Sequence, residues 1–128
     1  MTEDGSTNPK AAVGRAKPPL HAIPPSAILW LGLAMEDGEK KYGLMNWRSR
    51  PVDAATYYDA AFRHLLAWWD GEREASDSKI HHLGHVMACC AILIDAEAQG
   101  TLVDNKPGVA GVASRMIEEM SVARKKAD

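Results

Sequence analysis

Apolar residues in this chain recur at intervals of three and four, in runs broken by glycine and proline. They nowhere alternate with polar residues over a useful length. That periodicity is helical, and it leaves little room for strands. The clearest run is Ala55, Tyr58, Phe62, Leu65 and Trp69, which predicts a helix over 54–69 with Asp53 as its cap. Ile80, Leu83, Met87, Cys90 and Ile94 predict another over about 79–99, closed by Gly100. Ile28, Leu31 and Met35, widened by Leu29 and Leu33, predict a first helix over about 27–42, capped by Ser26 and closed by Gly43. A weaker helix over about 112–126 is amphipathic through Ile117 and Met120. The segments 43–53, 70–78 and 101–111 read as connectors. The expected fold is all-α: a small helical bundle of three main helices plus a weaker C-terminal one.

With 128 residues the chain has one domain's worth of core, and three good helices make a thin one, so completion by another copy is expected. The division expected is a flexible N-terminal arm over 1–25, a helical catalytic domain over 26–112, and a C-terminal helix and tail over 113–128. No apolar run reaches the length of a membrane span, and the N-terminus lacks the order of a signal peptide, so a cytoplasmic protein is expected. Adjacent Cys89 and Cys90 draw no disulfide framework and read as small buried thiols. The net charge is −2, but between Ser26 and Val112 eight basic residues face twelve acidic ones, a net −4. That balance removes the simplest electrostatic case for a nucleic-acid binder.

Phosphate-binding glycine loops, nucleophile elbows and CxxC pairs are missing. What remains is acids and histidines at helical spacing. Glu36 and Glu39 share a face, with Asp37 beside them, and the apolar stripe runs into Glu36, placing the pair on or near the buried side. Such a pair suits one divalent cation; the competing reading is a helix end with Glu36 paired to Lys40. His81, His82 and His85 crowd into five residues, with His82 and His85 on one face. Imidazoles so spaced can ligate a metal, move a proton, contact phosphate, or simply sit half-buried. Gly84 between them suits a close approach by another helix or a ligand. Asp59 could join a metal site and Arg63 grip phosphate, or the two could pair with each other. After the acids come Lys40 and Lys41, which can neutralise phosphates, then Asn46 and Trp47, which can read and stack a base; alternatively Trp47 pins its loop from the core.

Several of these phrases resemble known families. His81-His82-Leu83-Gly84-His85-Val86 resembles the Glu-Glu-Leu-Gly-Asp-Val phrase of MazG-like all-α nucleoside triphosphate pyrophosphohydrolases, with histidines in place of the charged ligands. Glu36 and Glu39 match the ExxE part of that family's other metal motif. A closer resemblance is to phage dATP/dGTP diphosphohydrolase-like proteins. It is carried by Ile23-Pro24-Pro25, by Lys41-Tyr42-Gly43 followed by Asn46-Trp47, by Arg63 through Trp68, by Gly71-Glu72, and by His82 through His85.

The resemblance covers about residues 23–96. It implies hydrolysis of a purine (deoxy)nucleoside triphosphate, dGTP or GTP first, to the monophosphate and pyrophosphate with Mg2+ or Mn2+. It implies a phage setting, hence a host cytoplasm, and a homo-oligomer, dimer or tetramer, with neither nucleic acid nor membrane as partner. On this reading Glu36, Glu39, His82 and His85 are catalytic, and these four with Asp59 hold the metal. Lys40, Lys41 and Arg63 bind phosphate, and Asn46 and Trp47 bind the base. Asp70, Glu74 and Asp77 are further candidates for the metal shell. Two rival readings are a zinc-binding helical domain built on the histidines and a non-enzymatic helical interaction module.

Overall fold

Capping chemistry sets most of the helix boundaries in the computed structural model, which describes residues 8–127. Helix α1 is Pro9–Arg15: the Lys10 N–H donates to the Asn8 side chain at 3.0 Å. This helix falls inside the segment read as an arm without a sustained period. Helix α2, Pro25–Tyr42, starts ahead of Ser26, with Pro24 at the cap and Pro25 in the first turn, where a missing N–H costs nothing. It ends, as expected, at Gly43, whose φ of 96° no residue with a Cβ adopts comfortably.

Helix α3, Ala54–Trp69, is capped by Asp53, which accepts the Thr56 N–H at 2.9 Å. Helix α4, His82–Gln99, begins later than the periodicity suggested. Lys79 sits at φ 62°, and the chain folds back on itself, so that Glu74 bridges to His81 and the His82 N–H donates to the Arg73 carbonyl at 2.9 Å. His81 is therefore the cap and accepts the Leu83 N–H on Nδ1 at 3.0 Å. Helix α5 is Val112–Ala127 and buries no residue. Two short strands escaped the sequence reading: β1, Val52–Asp53, pairs in parallel with β2, Leu102–Val103. Asn105 ties this pair to α3 by accepting the Ala55 N–H at 2.9 Å and donating to Asp53 at 3.2 Å. The all-α architecture stands, with α4 packed against both α2 and α3. No described helix is long and apolar enough to cross a membrane.

The faces that pack are not the ones the apolar runs suggested. The buried residues of the helices are Ala34, Ala54, Ala88, Ala96, Gly84 and His82. Only Trp47 and Ala75 join them from the connectors. The run Tyr58, Phe62, Leu65 and Trp69 faces outward, with Phe62 46% and Trp69 81% exposed, as do Ile28, Leu29, Leu33 and Ile94. Cys90 is exposed too, and only Cys89 is half-buried. Small side chains let helix backbones come close, and it is this closeness rather than side-chain bulk that sets the inner faces.

The tightest approach is at Gly84, where a Cβ would stand 3.0 Å from the Trp30 carbonyl oxygen and 3.4 Å from Trp30 Cβ. A leucine there must push α2 and α4 apart. Gly84→Leu is expected to cost roughly 1–3 kcal/mol of stability despite a better helix propensity, read as a lower denaturant midpoint at unchanged slope.

Candidate functional site

The C-terminal half of α2, the inner faces of α3 and α4 and the connector after α2 enclose an open cavity of about 750 Å3. Sites for small organic ligands measure roughly 300–1,000 Å3. From α2 come Glu36, Asp37, Glu39 and Lys41; from the connector Asn46, Trp47 and Arg48; from α3 Tyr57 and His64; from the α3–α4 loop Asp77; from α4 His85, Cys89 and Asp95.

The acids sit at the mouth rather than in the core. Glu36 is 57% exposed and pairs with Lys40 at 3.4 Å, the surface pairing that rivalled the metal reading. Glu39 is exposed as well. The acid that turns inward is Asp37, half-buried and accepting a hydrogen bond from Lys41 Nζ at 3.0 Å. That bond and the carboxylate's charge raise the Lys41 pKa, so the ammonium stays charged beside the cavity. Asp77 is held below the usual carboxylate range, chiefly by the Ser78 backbone N–H donating to it at 2.9 Å.

Opposite the acids three imidazoles meet. His64 stacks on His85 with ring centroids 4.6 Å apart, and its Nδ1 lies 2.8 Å from Nδ1 of His82. The other nitrogen of His82, Nε2, is 2.9 Å from Glu72 Oε1. His85 Nε2 is 2.8 Å from the Ser78 hydroxyl, which also accepts the Ile80 N–H at 3.2 Å. Burial is the first cause lowering the pKa of both His64 and His85. For His85 the nearby Asp37 and Asp77 oppose that shift. Burial also pushes the Tyr57 phenol and the Cys89 thiol up.

Several expected members are placed elsewhere. His82 is buried with both ring nitrogens committed, so it has neither a lone pair to offer a metal nor an N–H to offer a phosphate, and it does not line the cavity. His81 caps α4 and packs edge-on against Trp30 at 5.5 Å. Asp59, Arg63 and Lys40 are exposed and lie outside the lining: the inner face of α3 is that of Tyr57, Ala60 and His64, and Lys40 of α2 pairs outside with Glu36. Glu36, Glu39, Lys41, Asn46, Trp47 and His85 are brought together. Trp47 is 6% exposed and donates its indole N–H to Asp95 at 2.6 Å, so it forms wall rather than an open stacking surface.

The sequence reading passed over His64, Asp37, Glu72 and Asp95 as site residues. A signal for His64 existed: Ala54, Tyr57, Ala60, Ala61 and Ala67 share its helical phase, and runs of small residues mark close packing. Glu72 stands in the Gly71-Glu72 phrase but nothing local announces its role, nor that of Asp95, because their partners come from other segments.

Among the described residues, no three His, Cys, Asp or Glu side chains converge as a dedicated metal cage would require. The donor chemistry present is that of carboxylates, Glu36 and Glu39, on the wall of a cavity open to an incoming ligand. This matches how Mg2+ is commonly held, by one or two carboxylates with substrate phosphates completing the shell.

Fold and cavity together define a small helical domain with a ligand-sized site furnished with carboxylates, a lysine and imidazoles. A family model described as dATP/dGTP diphosphohydrolase, N-terminal, matches residues 7–106, and the chain belongs to that family. No curated protein and no solved structure matches it.

Asp95 holds the connector wall in place. Its carboxylate accepts from Trp47 Nε1 and, at 2.8 and 3.1 Å, from Arg48 Nε and Nη2, and these donors pull its pKa from 3.8 down to about 2. A carboxylate depressed in the folded state stabilises the fold above its unfolded pKa, and that contribution fades as pH falls from about 4 towards 2. Asp95→Asn is expected to lower Tm at pH 7 and to show a smaller further loss between pH 4 and pH 2 than the parent protein, followed by tryptophan fluorescence.

Proposed function

We propose that this domain hydrolyses a purine (deoxy)nucleoside triphosphate, dGTP or GTP first, to the monophosphate and pyrophosphate. The observation that carries the reading is the roughly 750 Å3 cavity in which Glu36, Glu39 and Lys41 stand across from His64 and His85, in a chain of the dATP/dGTP diphosphohydrolase family. Glu36 and Glu39 would hold Mg2+ or Mn2+ together with the substrate's phosphates. The ion supplies charge neutralisation to the polyphosphate. Lys41, kept charged by Asp37, adds a cation for the phosphate oxygens. Asn46, half-buried beside the fixed Trp47, presents an amide that can hydrogen-bond a base edge. His82, Asp59, Lys40 and Arg63 have no direct part in this assignment.

The test is incubation with the common ribo- and deoxyribonucleoside triphosphates plus Mg2+ or Mn2+, with products resolved as pyrophosphate or phosphate. Purine triphosphates are expected to give pyrophosphate. Glu36→Gln and Glu39→Gln are each expected to abolish turnover with an unchanged helical CD spectrum. Metal-independent turnover, or none with any triphosphate, would sink the reading.

A second copy of the chain is part of the proposal. Among the described residues no large side chain is fully buried, while Phe62, Leu65, Leu66 and Trp69 of α3 and Leu29 and Leu33 of α2 are exposed. Burial of apolar area stabilises by roughly 25 cal/mol per Å2, and a lone subunit forgoes most of that on these faces. Light scattering is expected to give a dimer or tetramer, and Phe62→Glu a smaller, less stable species. A wild-type monomer would contradict this.

A further inference from the structure

Across three segments the structure builds a carboxylate–imidazole–imidazole chain that ends at the cavity. Glu72, in the α3–α4 loop, has only acceptor oxygens when ionised, so the 2.9 Å contact obliges His82 to donate from Nε2. A neutral His82 then has Nδ1 as its acceptor, and the 2.8 Å contact obliges His64 to donate from its own Nδ1. That leaves Nε2 of His64 as a lone pair. Among the described residues it has no hydrogen-bond partner, and no buried side-chain nitrogen or oxygen lacks one, so this nitrogen is open to solvent. The His64 ring borders the cavity, whereas His82 lies behind it, 5% exposed.

We propose that His64 is the general base of the hydrolysis, and that His82 and Glu72 are positioning residues that fix its tautomer and ring orientation. The proposal rests on the pyrophosphohydrolase reading above. His64 Nε2 takes a proton from the water whose oxygen forms the new bond to the α-phosphorus. The bond from that phosphorus to the bridging oxygen breaks, its electron pair leaves with pyrophosphate, and the proton passes from His64 to the leaving group or to solvent. Charge gained by His64 is shared along Nδ1 towards His82 and the Glu72 carboxylate, the logic by which a carboxylate behind an imidazole steadies a catalytic base.

The groups facing His64 are His82 and His85 from α4, Asp77 from the loop, and Arg63 on its own helix, with Asp37 and Lys41 of α2 acting on the adjacent His85. Burial and the two neighbouring imidazoles keep the His64 pKa below its usual value, so its neutral, proton-accepting form prevails at pH 7. His85 is the weaker candidate, because the serine hydroxyl at its Nε2 can donate or accept and so does not fix a tautomer.

Two measurements on the full chain separate this inference from the reading beneath it. Nitrogen-15 NMR of labelled histidines reads tautomers without any substrate: His64 is expected as Nδ1–H and His82 as Nε2–H. Finding His64 as Nε2–H overturns the relay. In the pyrophosphate assay, His64→Gln is expected to lower kcat by roughly 100-fold or more, the usual worth of a general base. Glu72→Gln, whose amide can donate to His82 and so invert both tautomers, is expected to lower kcat with KM unchanged and to shift the acid limb of the pH–rate profile, and Glu72→Asp to restore part of the loss. Unchanged kcat in Glu72→Gln overturns the positioning role. A wild-type chain that turns over no triphosphate overturns the function while leaving the tautomer result to stand alone.

Discussion

The close crossing of α2 over α4 is the constraint from which the site follows. At Gly84 the Trp30 carbonyl lies where a side chain would begin, so the two helices approach closely there. His82 and His85 flank that glycine on α4. The acid-bearing end of α2 lies two turns along from Trp30, and the cavity opens beyond the contact. The same residue that permits packing thereby sets the distance between the acidic wall and the imidazoles. Held farther apart, the two walls would no longer meet one small ligand.

Helix extents were legible in the sequence, but the faces were not. Asp53, Gly43 and Gly100 punctuate the chain where the structure ends or begins a helix, because cap chemistry is local. The stripe of Tyr58, Phe62, Leu65 and Trp69 was a sound sign of helix and a misleading sign of which side is inside. Periodicity measures how strongly a helix prefers one face covered; it does not say what covers it. In this chain alanines and glycine cover the intramolecular side and the large side chains point away. Nothing described in this chain covers them, and the second copy proposed above would.

The candidate site divides along the same line. Glu36, Glu39 and His85 were legible because their spacing lies within single helices and both ends of each relation are a few residues apart. Asp37 was passed over by one position: on α2 the inward phase runs through Ala34 and Gly38, not through Leu33 and Glu36, so the middle acid turns in. The pairings of Glu72 and His64 were out of reach for another reason. Each residue acquires its role from a partner ten or more residues away, and the fold-back of residues 73–82 that joins them depends on Lys79 adopting a left-handed backbone that no motif advertises.

Opposite charges at the two ends of the cavity wall have different tasks, and magnitudes separate them. Glu36–Lys40 is a 3.4 Å pair between well-exposed side chains, the kind worth a few tenths of a kcal/mol, so its acid is free to exchange a lysine for a cation at little cost. Asp95 accepts three hydrogen bonds at 2.6 to 3.1 Å from the indole and guanidinium of consecutive residues, and its pKa near 2 reports how firmly they hold it ionised. One carboxylate is therefore available and the other is committed. On the proposed reading, uptake of a polyanion would use both: loosely paired acids and lysines that can rearrange around phosphate and metal, and a wall that does not move while they do. The connector carrying Asn46 gains that fixity from Asp95, so the Asn46 amide, proposed to read a base, sits on a fixed backbone beside a mouth whose charges remain adjustable.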